Sequence, residues 1–573
     1  MPALLIGLAA CSADLPPNIV IILADDQGWG DLSLNGNTSI TTPNIDQIAA
    51  NGARFDRFYV SPVCSPTRAE FLTGRYHPRS GVHGTSAGAE RMHADETTLA
   101  DIFQRAGYAT GIFGKWHNGQ QAPYHPNSRG FGEFYGFASG HWGHYFSPPL
   151  EHNNEIVRGT GYLPDDLTDQ ALAFIEANQN RPFLAYLPYN TPHSPMQVPD
   201  VWWDRVTRVA RHHRQPEMEN SVHTRAALAM ALNLDWNVGR VLGRLDTLGL
   251  REQTIVLYFS DNGPNGVRWN DGMKGRKGST DEGGVRSPLI MQWPGKIAPN
   301  TQISTITAAI DLLPTLGELA SVDLQTSNPI DGVSLVPLLE GKADPYPERL
   351  LFSFWNGRTS VRSQEFRLGP EGALYDMVRD PGQHVDVSAQ FPDVAARMGV
   401  AREAWVQDVV PDSFATLPFT VGHADFPLTH LPARDAIGKG NITRSNRYPN
   451  DSFLSNWTST DDSIVWKVSV LTAGLYEAVL YYTCAEGSEG ALVELSLGAS
   501  SVSRRITEPH DPPLYGMADD RTPRIESYVK DFRPLALGTI HLEKGLGALT
   551  LRALEIPGPQ VMHFRLLLLH RVM

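Results

Sequence analysis

The chain carries a run with no polar interruption, Ile19-Val20-Ile21-Ile22-Leu23-Ala24, just after Asn18. A strand with one wet face alternates apolar and polar residues, so an unbroken run predicts a strand buried on both faces. Such strands belong to parallel sheets covered by helices on each side. Residues 108–113, 183–188, 254–259 and 289–293 predict further strands. Helical periodicity lies between and after them, over 163–178, 224–248 and 308–320. Strands alternating with helices predict an α/β layer fold. Near residue 345 the texture changes to short strand-like runs, 350–355, 359–361, 366–368 and 374–376, followed by a helix over 392–406. This predicts a small α+β subdomain. Beyond about 415 the pattern is all-β, over 464–470, 476–483, 491–497, 539–542, 548–553 and 562–572, with Gly, Pro, Asn and Asp at the turns. Many short strands predict a β-sandwich. The expected organisation is a leader over 1–17, an α/β catalytic domain over 18–345, the small subdomain over 346–415 and the sandwich over 416–573.

A length of 573 residues exceeds what one core serves, in keeping with several domains. With 41% hydrophobic and 19% charged residues, the composition is that of an ordinary globular protein. The net charge of −14 argues against general nucleic-acid binding. An anionic substrate must therefore be drawn by a local basic pocket, because the protein as a whole repels it. Three cysteines, Cys11, Cys64 and Cys484, make no disulfide framework. The N-terminal MPALLIGLAACSA is apolar but too short to span a bilayer, and reads as the tail of a signal peptide. Leu8-Ala9-Ala10-Cys11-Ser12 resembles a bacterial lipobox. The expectation is an exported protein, periplasmic or a cell-surface lipoprotein, with a possible lipid anchor through Cys11.

Chemistry concentrates where strands end. Asp25-Asp26 follow the first strand, and Asp261-Asn262-Gly263 follow the strand at 254–259. In open α/β sheets, sites form beyond the carboxyl ends of strands. Convergence of these two ends gives three carboxylates and an amide oxygen, an oxygen-only set suited to a hard divalent cation such as Ca2+. Read singly, each pair is equally a set of turn and cap residues. Gly114-Lys115-Trp116-His117 follows the strand at 108–113, and Thr191-Pro192-His193-Ser194-Pro195 follows that at 183–188. Lys277 opens a Gly-rich loop that runs to Arg286. Each cation taken alone reads as a solvated loop residue. Cys64-Ser65-Pro66-Thr67-Arg68 continues into Leu72-Thr73-Gly74-Arg75. Pro66 suits a first helical turn and Gly74 a helix stop. Cys64 then sits at a helix N-terminus, which favours an anionic nucleophile or a bound oxyanion. In isolation it reads as an inert buried thiol.

Together these stretches resemble the formylglycine-dependent sulfatase family of arylsulfatase type, over roughly residues 18–400. C-x-P-x-R followed by L-T-G-R is similar to that family's maturation signature. G-K-W-H, P-H-x-P and K-G-x-x-x-E-G-G-x-R are similar to its other motifs, with Asn118 standing where leucine is usual. The resemblance implies an alkaline-phosphatase-like fold with a central mixed, mostly parallel sheet. It implies that Cys64 is converted to formylglycine by a maturation enzyme, and that Asp25, Asp26, Asp261, Asn262 and residue 64 hold Ca2+. By the same precedent Arg68 holds the hydrated aldehyde, and Lys115 and Lys277 neutralise sulfate oxygens. His193 gives a proton to the leaving alcohol, and His117 takes one from the second hydroxyl. Glu282, Arg286, Asp235 and Trp236 read as structural.

For substrate contacts, the cluster Gly140-His141-Trp142-Gly143-His144-Tyr145-Phe146 and the segment Arg268-Trp269-Asn270 offer aromatic faces and multi-donor side chains. His141, His144, Arg268 and Trp269 are the candidates, against a loop-packing alternative. Trp457, Trp466, Tyr476, Tyr481 and Tyr482 of the β-domain serve either glycan binding or a sandwich core, with a packing or site-covering role favoured. The expected function is hydrolysis of sulfate esters on sulfated saccharides from polysaccharides, with action at chain ends favoured. A phosphonate or phosphate ester hydrolase on the same scaffold and an inactive sulfated-glycan-binding protein are the alternatives.

Overall fold

The computed structural model describes residues 16–153, 155–209, 215–342 and 348–572. Cys11 and the expected leader up to residue 15 lie outside them. The strand runs fall into one large mixed sheet: β1 Asn18–Ala24, β2 Ala53–Tyr59, β3 Ala109–Lys115, β4 Glu133–Phe137, β5 Pro149–His152, β6 Glu155–Arg158, β7 Phe183–Pro188, β8 Thr254–Ser260, β9 Arg286–Gln292, β10 Thr301–Ile303 and β11 Thr307–Ala308. Their order is β10-β2-β9-β8-β1-β7-β3-β4-β5-β6, with β11 also on β2. The central five, β8 to β4, are parallel, while β9, β5 and β6 run antiparallel to their neighbours. The unbroken run in β1 has a direct cause. Ile19, Ile21 and Leu23 enter the core on one face, and Val20, Ile22 and Ala24 the core on the other.

Helices Leu163–Ala177 and Ser221–Thr247 cover one face, and Cys64–Thr73 and Leu312–Leu319 the other. Asp235, on the long helix, accepts hydrogen bonds from the backbone N–H groups of Asn44 (3.0 Å) and Ile45 (2.8 Å), and so caps the helix Pro43–Ala50.

All ten residues of the helix Cys64–Thr73 are buried, so its polar side chains need internal partners. Thr67 Oγ1 accepts from the Ser61 amide at 2.8 Å, and Thr73 Oγ1 donates to the Ala69 carbonyl at 2.7 Å. Gly74 ends the helix at φ 69°, a left-handed turn that favours glycine. Glu70 fares worst. Burial pushes its carboxyl up to about 8, against weaker help from the His77 amide and Ser61. The folded chain thus keeps a proton that the unfolded chain releases above about pH 4.5. The group's contribution to stability is complete below that pH and is lost as pH rises through 8, by up to ~1.4 kcal/mol per pH unit within the window. Glu70→Gln is expected to flatten this slope, read as the urea midpoint between pH 5 and 8; parallel slopes for the two proteins would refute it.

The small subdomain is a four-stranded antiparallel sheet, Leu351–Trp355, Arg358–Arg362, Phe366–Leu368 and Leu374–Asp376, with the helix Pro392–Val409. Two six-stranded sheets follow. Trp457, Trp466, Tyr476 and Tyr482 are buried in their shared core, which gives these aromatics the packing role.

Candidate active site

Four neighbouring strands, β8, β1, β7 and β3, are mutually parallel, so their carboxyl ends open on one edge of the sheet. That edge gathers Asp261-Asn262, Asp25-Asp26, the His193 loop and Lys115-His117. Gly114 is required there, because a Cβ would come within 2.0 Å of the Pro188 carbonyl oxygen on β7. The Asp25 amide donates to the Thr191 carbonyl (3.0 Å) and the Asp261 amide to that of Ala24 (3.1 Å), locking the loops together. Cys64 enters as the first residue of its buried helix, and its sulfur clusters with carboxylate oxygens of Asp25 and Asp261. Asp26 (φ 63°) and His117 (φ 70°) hold left-handed backbone, a strain that the surrounding packing sustains.

Three buried carboxylates face three cations. Lys115 Nζ lies 2.6 Å from Asp25 Oδ2, and Lys277 Nζ 2.6 Å from Asp26 Oδ1. Arg68 donates to Asp261 Oδ2 through Nη2 (2.8 Å) and Nε (3.1 Å), and to the Lys115 carbonyl at 2.7 Å. Arg68 is therefore spent on Asp261 and on the end of β3. Burial works against the charged form of each carboxylate. Lys115, His193 and Arg68 override it at Asp25, and Lys277 and His193 at Asp26, holding both below the usual range. At Asp261, burial and the Asp25 charge prevail and raise the carboxyl. Burial likewise raises the Cys64 thiol.

The donor set fits a hard cation. Asp25 Oδ1 and Asn262 Oδ1 are buried acceptors without a hydrogen-bond partner. Asn262 Nδ2 donates to Asp26 Oδ1 at 2.8 Å, which fixes the amide with its oxygen free of that contact. Orphaned oxygens beside three carboxylates are what a divalent ion satisfies.

The two histidines differ in the nitrogen they present. His117 Nε2 is 2.9 Å from the Thr85 carbonyl oxygen, which accepts only, so Nε2 donates and Nδ1 keeps a lone pair. That Nδ1 is buried and unpartnered, and burial with Lys115 keeps the ring neutral. His193 Nδ1 donates to the Ser194 carbonyl (2.6 Å), turning Nε2 toward Asp26 Oδ2 at 3.6 Å. Asn118 Nδ2 donates to the Ser65 carbonyl (3.1 Å), so the residue departing from the family motif steadies the start of the cysteine helix.

Cys64, Asp26, His117, His193 and Lys277 line one cleft of roughly 430 Å³, and His141 joins them. The other three substrate candidates do not. Arg268 is buried, with Nε and Nη2 on Asp31 (2.8 and 2.7 Å) and Nη2 also on the Asp26 carbonyl (2.9 Å). A guanidinium so committed, with Nη1 also on Asn265 Oδ1 (3.2 Å), organises the Asp26 turn and does not line the cleft. Trp269 packs over Gly36. His144 stands edge-on to Tyr515 (5.1 Å) in a neighbouring cavity between the α/β domain and the β-domain. Sequence reading missed Trp355, Tyr448, Asn450 and Glu526, which line the cleft from the C-terminal regions. No motif marks them; only long-range packing brings them there.

The sequence pattern of the family described as Sulfatase matches residues 17–322, and that described as N-sulphoglucosamine sulphohydrolase, C-terminal, matches 277–390. N-acetylgalactosamine-6-sulfatase of Mus musculus is 33% identical over 374 residues, 59% of this chain and 69% of that protein. Arylsulfatase A of Homo sapiens is 34% identical over 434 residues, 67% of this chain and 82% of that protein. The crystal structure of Ps i-CgsB in complex with k-i-k-neocarrahexaose aligns with a TM-score of 0.63 at 30% identity, covering 70% of this chain and 95% of that one. Phosphonate monoester hydrolase of Agrobacterium radiobacter aligns with a TM-score of 0.53 at 21% identity, covering 68% and 95%, a likeness of fold alone. The expected alkaline-phosphatase-like α/β fold with a mixed central sheet is the observed one.

Proposed function

The chain belongs to the sulfatase family of sulfuric ester hydrolases, and we propose that it removes sulfate from sulfated saccharides, using Ca2+ and a formylglycine made from Cys64 by a maturation enzyme. The observation that carries this reading is the convergence of Lys115, Lys277, His117 and His193 on Cys64, beside an oxygen-only donor set with two orphaned acceptors. The saccharide substrate follows the names of relatives, an N-acetylgalactosamine-6-sulfatase and a structure bound to neocarrahexaose.

Formylglycine at position 64 would supply, once hydrated, a geminal diol with one hydroxyl as nucleophile and a second to be deprotonated as sulfate leaves. Asp25, Asp26, Asp261 and Asn262 would hold the divalent cation, which supplies Lewis acidity toward sulfate oxygens and acidifies a hydroxyl. Lys115 and Lys277, now paired with Asp25 and Asp26, would neutralise charge gathering on the sulfate oxygens, with the two carboxylates serving as ligands of the cation. His193, its Nδ1 fixed on the Ser194 carbonyl, protonates the leaving oxygen from Nε2 in its imidazolium form, which burial and Lys277 oppose and Asp26 and Asp25 favour. His117 takes the final proton at Nδ1, the nitrogen that the Thr85 contact leaves as a lone pair. Arg68 holds Asp261 in place and opposes the burial and the Asp25 charge that raise its carboxyl. The reading favours cleavage at chain ends, since the cleft is walled by the C-terminal regions.

Sulfate release measured by ion chromatography, on defined sulfated mono- and oligosaccharides with formylglycine verified by peptide mass, tests this. Release from at least one terminal sugar is expected, with loss of at least about 100-fold on chelation and recovery with Ca2+. Faster turnover of an aryl phosphonate than of the matched aryl sulfate would favour the phosphonate alternative. Binding of sulfated glycan with no release would favour the inactive binder.

A further inference from the structure

The cleft holds Lys277, paired with Asp26, beside His117 and His193. On its wall stands Glu526, 332 residues from its nearest partner in sequence, Ser194, whose Oγ donates to Glu526 Oε2 at 2.9 Å. Glu526 arrives on a loop of the C-terminal β-domain that is tied to the α/β domain. Gln197 Nε2 donates to the Gly516 carbonyl and to Asp520 Oδ1, each at 2.9 Å, and the Arg521 amide donates to the Met196 carbonyl at 2.9 Å. Arg524, the cation beside it, is consumed by Asp520 and the Gly143 carbonyl. The Asn446 side chain holds the Ile525 carbonyl (2.8 Å), and Ser445 meets Ser527 (2.7 Å). The wall is therefore pre-formed. In the same cleft, His141 is 4% exposed and has neither ring nitrogen hydrogen-bonded. A buried imidazole with two idle nitrogens next to a carboxylate is an incomplete polar network, and a hydroxyl-bearing ligand would complete it. The His141 and His193 rings lie 5.7 Å apart, centre to centre, in the cleft that Glu526 also lines.

We propose that Glu526 is a substrate-selecting residue: it accepts hydrogen bonds from hydroxyls of the sugar that bears the scissile sulfate, with His141 as second polar partner, and it repels sugars carrying another anionic group at that position. This rests on the sulfated-saccharide reading above. The ligand class is accordingly a singly sulfated, otherwise neutral sugar unit. A carboxylate facing a ligand that is already an anion makes sense as discrimination, because like charge set against the wrong substrate is a common route to specificity. A neutral amide at this place would serve the hydroxyls as well without that penalty.

The test compares kcat/KM for two sugars sharing the scissile sulfate, one of them carrying a second sulfate, with an aryl sulfate as a reference for the chemistry. Wild type is expected to favour the singly sulfated sugar by about 100-fold or more. Glu526→Gln keeps the Ser194 hydrogen bond and loses the charge; it is expected to narrow that ratio at least about tenfold, chiefly through KM for the doubly sulfated sugar. A ratio within about twofold of wild type, with both sugars still turned over, would overturn the proposal, as would a wild type that prefers the doubly sulfated sugar. Should Glu526→Gln melt early, Glu526→Ala, which also removes the charge, and the wild-type ratio decide the same question. No sulfate release from any sugar, with the aryl ester still cleaved, would instead sink the saccharide reading on which this rests, a result distinct from an unmoved ratio.

Discussion

Cys64→Ala is expected to yield a folded protein with turnover reduced by at least about 10⁴-fold on every sulfate ester. The side chain is buried at the start of a helix whose ten residues are all interior, yet the helix is held by groups other than the sulfur. Thr67, Arg68, Thr73 and the Gly74 turn carry its hydrogen bonds. Loss of one small apolar group costs about 1 kcal/mol, or roughly 2–4 °C in a domain of this size. Activity and stability therefore separate cleanly. Sulfate release should scale with the fraction of residue 64 found as formylglycine by peptide mass, and be absent in the alanine variant whose melting curve overlays wild type within a few degrees. Substantial release by Cys64→Ala would show that the nucleophile lies elsewhere.

The second large effect is on stability. Glu282 lies in the loop that delivers Lys277, and it is buried among three arginines and a tyrosine. Arg367 Nη2 is 2.9 Å from Oε2, the Tyr59 hydroxyl 2.9 Å from Oε1, and Arg362 and Arg286 each reach within 3.8 Å. Burial opposes its ionisation, but Arg367, Arg362 and Arg286 overcome that and hold its carboxyl below the usual range. Glu282→Gln strands two buried guanidiniums without a counter-charge, and a loss of about 3–5 kcal/mol is expected in denaturant unfolding. Pairing Glu282→Leu with Arg367→Met removes both ends of the closest contact and should recover part of that loss. A Glu282→Gln variant within about 1 kcal/mol of wild type would mean that the network is worth little. Because Arg362 and Arg367 belong to the small four-stranded sheet, the same ion pairs join that subdomain to the loop of Lys277.

Local pattern reached far into this molecule. The unbroken apolar run of β1 followed from burial on two faces, and strand ends were visible as places where apolar runs stop at Asp, Lys or His. The strand runs at 183–188, 366–368 and 374–376 match observed elements end to end. The strands β2, β4, β5, β6, β10 and β11 escaped notice. In β2, Arg54, Asp56 and Arg57 interrupt the apolar positions, since this strand lies toward the sheet margin and half of it meets partly wet surroundings.

The cation-rich loops illustrate the boundary. Cys64, Lys115, His193 and Lys277 are separated by tens of residues, and nothing in local periodicity says that their loops meet; the motif resemblance supplied what the order β8-β1-β7-β3 now explains geometrically. Arg268 shows the opposite case, a residue type apt for sugar binding that Asp31 claims first. The sequence by itself determined the two-faced core strands, the oxygen-rich and basic strand ends, the buried cysteine helix and the change to all-β texture, because each is written in the spacing of neighbouring residues. Only the tertiary structure decided which polar groups are already satisfied and which remain idle, and that Glu526 and Tyr448 stand over a cleft built hundreds of residues earlier. Hydrogen-bond saturation and wall-building depend on contacts between distant segments, and no local pattern of hydrophobic and polar positions encodes them.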